Sequence, residues 1–500
     1  MKKILKMLTS KVLFIGLFVL LQLLFLFLII NKLINDDLIG VYLQLFFTII
    51  SFFIILKVVS SDINPEYKIA WIIPVLAFPI FGTFFYLLYH QNNITNRRKK
   101  MYSNIITNRN ILLNNIPNEL KYKEIKYLNK NGWRYYRNSK INLLSSGEEK
   151  LYSLLEDLKN AESFILIEYF ILSKGKMFNS IMDVLYEKAA QGVEIKLIYD
   201  DFGSADNLPF NFKRKMKKKG IEVLPFNPIN FHLNFSMNYR THRKIVVIDN
   251  KIAYTGGINI GDEYCNYINR FGHWHDASFR IEGSAVWSFT LIFLESWNFS
   301  SKEKLDYKKY YIPYKLDSNE VIAPFADNPI ENREITKSAL LYLINEAKEE
   351  ILITTPYLIL DNEIITALKL AAKSGVNVNI VLPGIADKKL VYLVTESFAL
   401  DLAKAGIKIY KYIPGFLHSK LYLFDRKKAI VGTSNLDFRS LYLHFENNVL
   451  IYESDVLDDI ANYINITIDN SKLMSKESLK KKSFTIRTLQ AILRGFSATL

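Results

Sequence analysis

His242, Lys244, Asp249, Gly256 and Asn259 recur as His418, Lys420, Asp425, Gly432 and Asn435, each displaced by the same 176 residues. Five chemically distinct residues that keep one register in two copies require two copies of one local fold, because any insertion in either copy would break the spacing. The surrounding residues agree. "IVVI" (245–248) and "LYLF" (421–424) read as buried strands, each followed by a short turn and a return strand ending in "GGIN" or "GTSN".

Upstream, a second pattern is also duplicated. "SFILIEYFIL", "MFNSIMDVLYEKAAQGV" and "EIKLIYDD" read as strand, amphipathic helix ending at glycine, and strand; "EILITTPYLIL", "EIITALKLAAKSGV" and "NVNIVLPG" repeat that order. Each is a βαβ unit, so each half is α/β. The predicted architecture is two pseudo-symmetric halves, each a mixed β-sheet flanked by helices, spanning 136–310 and 311–470.

Side chains alternate along a strand, so His242 and Lys244 face one way, as do His418 and Lys420. Glycines in the return strand let backbone approach a bound group, and the Asn amide can donate to an oxygen. A histidine, an ammonium and an amide suit a phosphoryl group, as nucleophile or acid, charge neutraliser and oxygen clamp. A lone His-x-Lys at a strand start is ordinarily a solvated edge. A shared ancestral fold would preserve apolar spacing without keeping both histidines and both lysines.

Ahead of the halves lies an apolar region. Residues 12–30 and 38–56 are each uncharged and long enough to cross a bilayer. Residues 69–89 are uncharged too, but Pro74, Pro79 and Gly82 interrupt them, which allows either a kinked span or a hairpin dipping into one leaflet. Basic clusters at Lys2, Lys3, Lys6 and Lys11 and again at 97–100 favour an even number of crossings, a multi-pass anchor in the cell membrane and a cytoplasmic body. Three full crossings would violate that rule. Residues 96–135 read as a linker and 471–500 as a basic amphipathic tail. The net charge of +15 favours anionic partners. The single cysteine, Cys265, excludes an internal disulfide framework.

The two motifs resemble those of the phospholipase D superfamily. "NYRTHRKIVVID", "GGINIGDEY", "GFLHSK" and "VGTSNLDFRS" are similar in particular to bacterial cardiolipin synthases. The resemblance implies transfer of a phosphatidyl group between two phosphatidylglycerols through a phosphohistidine, with anionic membrane lipids rather than nucleic acid as partners and neither metal nor cofactor. Phospholipid hydrolysis, another phosphatidyl transfer and a tethered nuclease are the alternatives. By resemblance, His242, Lys244, Asp249, His418, Lys420 and Asp425 are catalytic, with His242 the nucleophile and His418 the acid. Asn259 and Asn435 would bind phosphate. A carboxylate some thirty residues past each histidine would orient its ring, and Asp276 and Glu446 occupy those places. The chain departs from the family pattern at His275 and His444, which puts head-group preference in question. His273 and His275 in "HWH" raise the alternative of a metal pair, for which no third ligand is evident in the sequence.

Overall fold

The computed structural model describes residues 24, 27–28, 31, 37–89, 96–114, 122–228, 238–331, 333–477 and 481–499. The chain divides into two compact units, one of Met1–Thr95 with Ile229–Asn238 and Ile492–Leu500, the other of Asn96–Pro228 and Tyr239–Ala491.

In the first unit, α1 (Asp37–Ser60) contains Val41–Ser60, among the described residues the one helix long and apolar enough to cross a membrane. The expected span at 12–30 falls almost wholly outside the described residues, so a multi-pass anchor remains an expectation. The interrupted segment forms two helices, α2 (Pro65–Ala77) and α3 (Pro79–Tyr89), separated at Phe78. At about 1.5 Å per residue, neither reaches across a hydrocarbon core of about 30 Å. A Cβ on Gly82 would sit 2.3 Å from the Pro74 carbonyl oxygen, so α3 folds back against α2 where only glycine fits. Trp71 meets Tyr86 edge-on at 5.4 Å, and Val75 and Tyr86 are buried with Ile54 and Val58 of α1. Of the two forms open to this segment, the structure has the hairpin.

The second unit opens with a correction. The stretch expected as a linker forms α4 (Asn96–Leu113) and α5 (Lys123–Lys130). The buried face of α4 carries Tyr102, Ile105, Ile106, Arg109 and Leu113. Arg109 lies 3.1 Å from the Glu295 carboxylate and 4.0 Å from the Trp133 ring centroid. A face that buries an arginine through ion pairing and cation–π contact shows no simple apolar period, which hid the helix from a hydrophobicity reading.

The first half then runs β1 (Ser139–Leu144), α6 (Gly147–Lys159), β2 (Phe164–Tyr169), α7 (Lys176–Ala190), β3 (Glu194–Asp200), α8 (Phe212–Lys218), β4 (Ile221–Phe226), β5 (Lys244–Ile248), β6 (Ile252–Gly256), β7 (His273–His275), β8 (Ser278–Gly283) and α9 (Val286–Ser300). The second runs β9 (Val321–Asp327), α10 (Ile335–Glu346), β10 (Glu350–Thr354), β11 (Leu358–Ile359), α11 (Asn362–Lys373), β12 (Asn377–Pro383), α12 (Lys389–Lys404), β13 (Lys408–Tyr412), β14 (Gly415–Leu417), β15 (Leu421–Phe424), β16 (Lys428–Gly432), β17 (Leu436–Asp437), β18 (Glu446–Tyr452), α13 (Val456–Asp469) and β19 (Ser471–Leu473). The main sheets are ordered β1-β8-β6-β5-β2-β3-β4 and β9-β18-β16-β15-β10-β12-β13-β19. Strand for strand they correspond, with β19 an added edge. Because β19 pairs with β13, the second sheet extends past residue 470. Beyond it, α14 (Phe484–Gly495) buries none of its residues.

The predicted βαβ units are β2-α7-β3 and β10-α11-β12, both parallel. Their helices end two residues before Gly192 and Gly375, at φ +93° and +98°, the left-handed position that stops a helix. β5 and β6 form a hairpin through Asp249 and Asn250 (φ +52° and +54°), and β15 and β16 through Asp425 and Arg426 (φ +49° and +53°). Two successive left-handed residues make the turn that matches strand twist.

Each turn aspartate also staples the hairpin to its neighbour. Asp249 accepts from the backbone N–H groups of Glu162, Ser163 and Phe164 at 2.7–2.8 Å, and Asp425 from those of Lys348, Glu349 and Glu350. They stand at the far end of the strand from the lysines, about 16 Å away at some 3.3 Å per residue. Asp249→Ala should therefore lower the unfolding free energy by about 2–3 kcal/mol through its unsatisfied buried donors, and the more exposed Asp425→Ala by less. Equilibrium denaturation followed by circular dichroism measures both.

Candidate active site

Both histidines sit just before a buried strand, at points where the chain pairs with the opposite half. The His242 N–H donates to the Phe445 carbonyl at 2.9 Å, and the Phe445 N–H to the Arg240 carbonyl at 2.8 Å. The His418 N–H donates to the His275 carbonyl at 2.7 Å, continuing the parallel pairing of β14 with β7. Phe445 and His275 immediately precede the two carboxylates, so this backbone pairing decides which ring each carboxylate meets. His242 Nδ1 lies 2.9 and 3.1 Å from the Glu446 oxygens, and His418 Nδ1 lies 2.6 Å from Asp276 Oδ2. Both predicted carboxylates touch catalytic-motif histidines, but each reaches across to the other copy's ring rather than its own.

Burial sets the protonation of the set. It drives His242 down to about 3, with Lys244 adding to the effect and Glu446 opposing it. Burial likewise takes His418 to about 4, with Lys420 assisting. Burial pushes Glu446 and Asp276 upward, but His242 and His444 around Glu446, and His418 and Lys420 around Asp276, together hold both below the usual carboxylate range. A neutral imidazole donating Nδ1–H to an ionised carboxylate leaves Nε2 with its lone pair free. Burial lowers Lys244 to about 7 and Lys420 to about 8. Lys420 depresses Lys244 further, while the carboxylates of both halves raise each lysine, so the charges of the two copies act on one another. The Lys244 amine donates to the His242 carbonyl at 2.6 Å, and Lys420 to that of His418. Histidine and lysine are locked together in each copy.

The halves differ in detail. A Cβ on Gly257 would fall 2.1 Å from Asp276 Oδ1, so glycine there admits the shorter carboxylate. At the matching place Thr433 instead donates its hydroxyl to Glu446 at 2.5 Å. Asn259 is held at both ends, accepting from the Ile171 N–H at 3.1 Å and donating to the Tyr264 hydroxyl at 2.8 Å. Asn435 donates to Asp437 at 3.1 Å, and its carbonyl oxygen has no hydrogen-bond partner among the described residues. Asp249 and Asp425, expected to be catalytic, are the distant turn residues described above and take no part in this cluster.

The metal reading of "HWH" is not supported by the geometry. His273 Nδ1 lies 2.9 Å from the Tyr412 hydroxyl, and His275 Nε2 lies 2.8 Å from the Thr467 hydroxyl with its ring stacked between Tyr412 and Tyr463. A different trio, His242, His444 and Glu446, has donor atoms within 4.8 Å of one another. The neighbouring lysines oppose a cation there and favour an anion.

Two further residues belong to the site's surroundings. Lys150 is fully buried, donates to the Tyr169 hydroxyl at 3.0 Å and the Ile258 carbonyl at 2.8 Å, and is lowered to about 7 by burial. Its charge weighs on Lys244. It occupies the apolar stripe of α6 with Gly147, Leu151, Leu154 and Leu158, and a lysine on that stripe was the available signal. Tyr264, which meets the His418 ring edge-on at 5.8 Å, carried no comparable signal. Cys265 is buried, its thiol pushed up to about 12, in keeping with a passive role.

Comparison with known proteins places this geometry. The family described as "Cardiolipin synthase, PLD-like domain" matches residues 154–270 and 340–467, and that described as "Phospholipase D-nuclease N-terminal" matches 46–89. An uncharacterized protein of Streptococcus mutans is 35% identical over 88% of this chain and 98% of its own length. A cardiolipin synthase of Oceanobacillus iheyensis is 34% identical over 87% of this chain and 94% of its own. A phosphatidylserine synthase from Haemophilus influenzae shares the fold with a TM-score of 0.58 at 15% identity, over 79% of this chain and 98% of that one.

The crossed pairing makes a direct prediction for the rings. In protein carrying 15N-labelled histidine, Asp276→Asn should shift the ring resonances of His418 and leave those of His242 in place, and Glu446→Gln should do the reverse. Assignment by His242→Asn and His418→Asn reads the outcome.

Proposed function

This chain belongs to the cardiolipin synthase family of phospholipase D-like proteins, and from the site it carries we propose that it transfers a phosphatidyl group from one phosphatidylglycerol to another, giving cardiolipin and glycerol. The observation that carries the reading is the pair of buried imidazoles, each held by the opposite half's carboxylate, with a buried lysine bonded to the carbonyl of each histidine. One imidazole as nucleophile, one as general acid and base, and two ammonium groups around one anion are what a double displacement at phosphorus requires.

His242 Nε2 attacks the phosphorus of the first lipid, and the bond from phosphorus to the terminal glycerol oxygen breaks. His418, charged once the phosphodiester anion offsets its burial, gives its proton to that oxygen, and glycerol leaves. The glycerol hydroxyl of a second phosphatidylglycerol then enters. His418 takes its proton, the oxygen attacks phosphorus, and the bond from phosphorus to His242 nitrogen breaks to release cardiolipin. Lys244 and Lys420 neutralise the equatorial oxygens, with Asn259 and Asn435 donating to them. Glu446 and Asp276 fix the reacting tautomers, as a carboxylate does for a catalytic histidine generally.

Water competes for the same intermediate. Burial of both histidines limits its access, and a lipid acceptor delivered in the plane of the membrane arrives at high effective molarity. We place the body on the cytoplasmic side, since "RRKK" (97–100) and the basic N-terminus both belong there by the charge rule. His275 and His444, where the family pattern has other residues, are the positions to examine for lipid preference.

Purified protein reconstituted with phosphatidylglycerol alone should form cardiolipin and glycerol in equal amounts, and added glycerol should drive the reaction backward. Lipid chromatography with an enzymatic glycerol assay measures this. Phosphatidic acid as the main product, without reversal by glycerol, would make water the acceptor.

A further inference from the structure

Two loops at the carboxyl ends of equivalent parallel strands rim the site, one after β3 and one after β12. Both are stitched to the segments that deliver the histidines. Asp200, at the end of β3, accepts from the Phe202 and Gly203 N–H groups at 2.9 and 3.0 Å and from the Thr241 N–H, next to His242, at 3.0 Å. Ser204 donates to the carbonyl of Phe170, whose ring lies 5.1 Å from that of His242. In the second loop the Gly384 and Ile385 N–H groups both donate to the Gly415 carbonyl, at 3.0 and 3.1 Å, where β14 begins its run to His418.

Both loops present apolar side chains to solvent. Phe210 is 100% exposed, and Phe202 of the same loop is exposed with the Arg240 guanidinium 5.3 Å from its ring centroid. Ile385 projects from the second loop, Leu390 from the first turn of α12 that follows it, and Ile413 from the neighbouring connection. The flanks are basic. Lys213, Arg214, Lys215, Lys217, Lys218 and Lys219 are all exposed, and no acidic residue lies between Asp206 and Glu222. Lys388 and Lys389 occupy the corresponding place in the second half.

We propose that these two loops form an interfacial docking surface that seats the mouth of the active site on an anionic bilayer, with Phe210, Ile385 and Leu390 entering the acyl boundary and the lysines meeting the head groups. Exposed apolar tips set among cations are the composition of interfacial membrane contacts. A nucleic-acid surface would use the cations but leave exposed isoleucine and leucine unexplained. The pseudo-symmetry supplies one contact beside each histidine, so lipid entering from the membrane plane meets the site without crossing water. This partner rests on the reading of the substrate as a membrane lipid, but contact is measured independently of turnover.

The test uses the full chain reconstituted into vesicles of phosphatidylglycerol and acyl-brominated phosphatidylcholine. In a Cys265→Ser background, Phe210→Cys and Ile385→Cys carry a bimane label. Tyr311→Cys, an exposed position just before Ile312, whose carbonyl accepts from Asn250 at the far-end turn, is the control. Brominated lipid should quench both rim labels by more than about twofold and spare the control, as expected for insertion at the acyl boundary. Replacing Lys213, Lys215, Lys217 and Lys218 together with Gln should reduce that quenching in phosphatidylglycerol vesicles and weaken its salt dependence. Rim labels quenched no more than the control would overturn the proposal. So would labels shielded from aqueous iodide yet untouched by brominated lipid, which would point to a protein or nucleic-acid partner. Quenching without cardiolipin formation would leave the docking surface standing and remove the synthase reading instead.

Discussion

The arrangement of the two motif histidines depends on two short backbone pairings between the halves, His242 with Phe445 and His418 with His275. Each pairing fixes a histidine and, one residue later on the partner segment, the carboxylate that meets its ring. Neither half contains a complete histidine–carboxylate pair: the first contributes His242 but relies on Glu446, the second contributes His418 but relies on Asp276. Removing one member of such a buried pair leaves the other uncompensated, a penalty of about 3–5 kcal/mol where the groups are charged. The site is therefore tied to association of the halves, and duplication without that association would leave two incomplete sites.

The lysines follow from the same burial. An ammonium brought below its ordinary range by desolvation is poorly stabilised in the empty site, and an arriving phosphodiester anion supplies the missing charge. Binding the anion therefore favours the charged form of both lysines. The surrounding cations also explain why the His242, His444 and Glu446 trio suits phosphate better than a metal.

Much of this was legible in the chain. The constant register of His-x-Lys, Gly and Asn announced two equivalent halves, and the glycine-terminated βαβ units gave their parallel cores. The same register misled at Asp249 and Asp425, because a residue can recur for its backbone role as readily as for chemistry. Only the left-handed turns and the backbone donors they accept show which applies. The family resemblance also pointed to Asp276 and Glu446 but assigned each to the histidine of its own copy, since the exchange is a tertiary pairing with no trace in local sequence. α4 was hidden because Arg109 on its buried face is satisfied by Glu295 and Trp133, partners nearly two hundred and some twenty residues away.

The central claim is one centre with divided roles, and a phosphatidyl ester of p-nitrophenol tests it most directly because its leaving group needs no acid. His418→Asn should release a burst of p-nitrophenol equal to the protein present and then stall, with the lipid held on the peptide containing His242 in mass spectra. His242→Asn should show no burst. A burst from His242→Asn instead would reverse the roles, and sustained turnover by either variant would contradict a single shared centre.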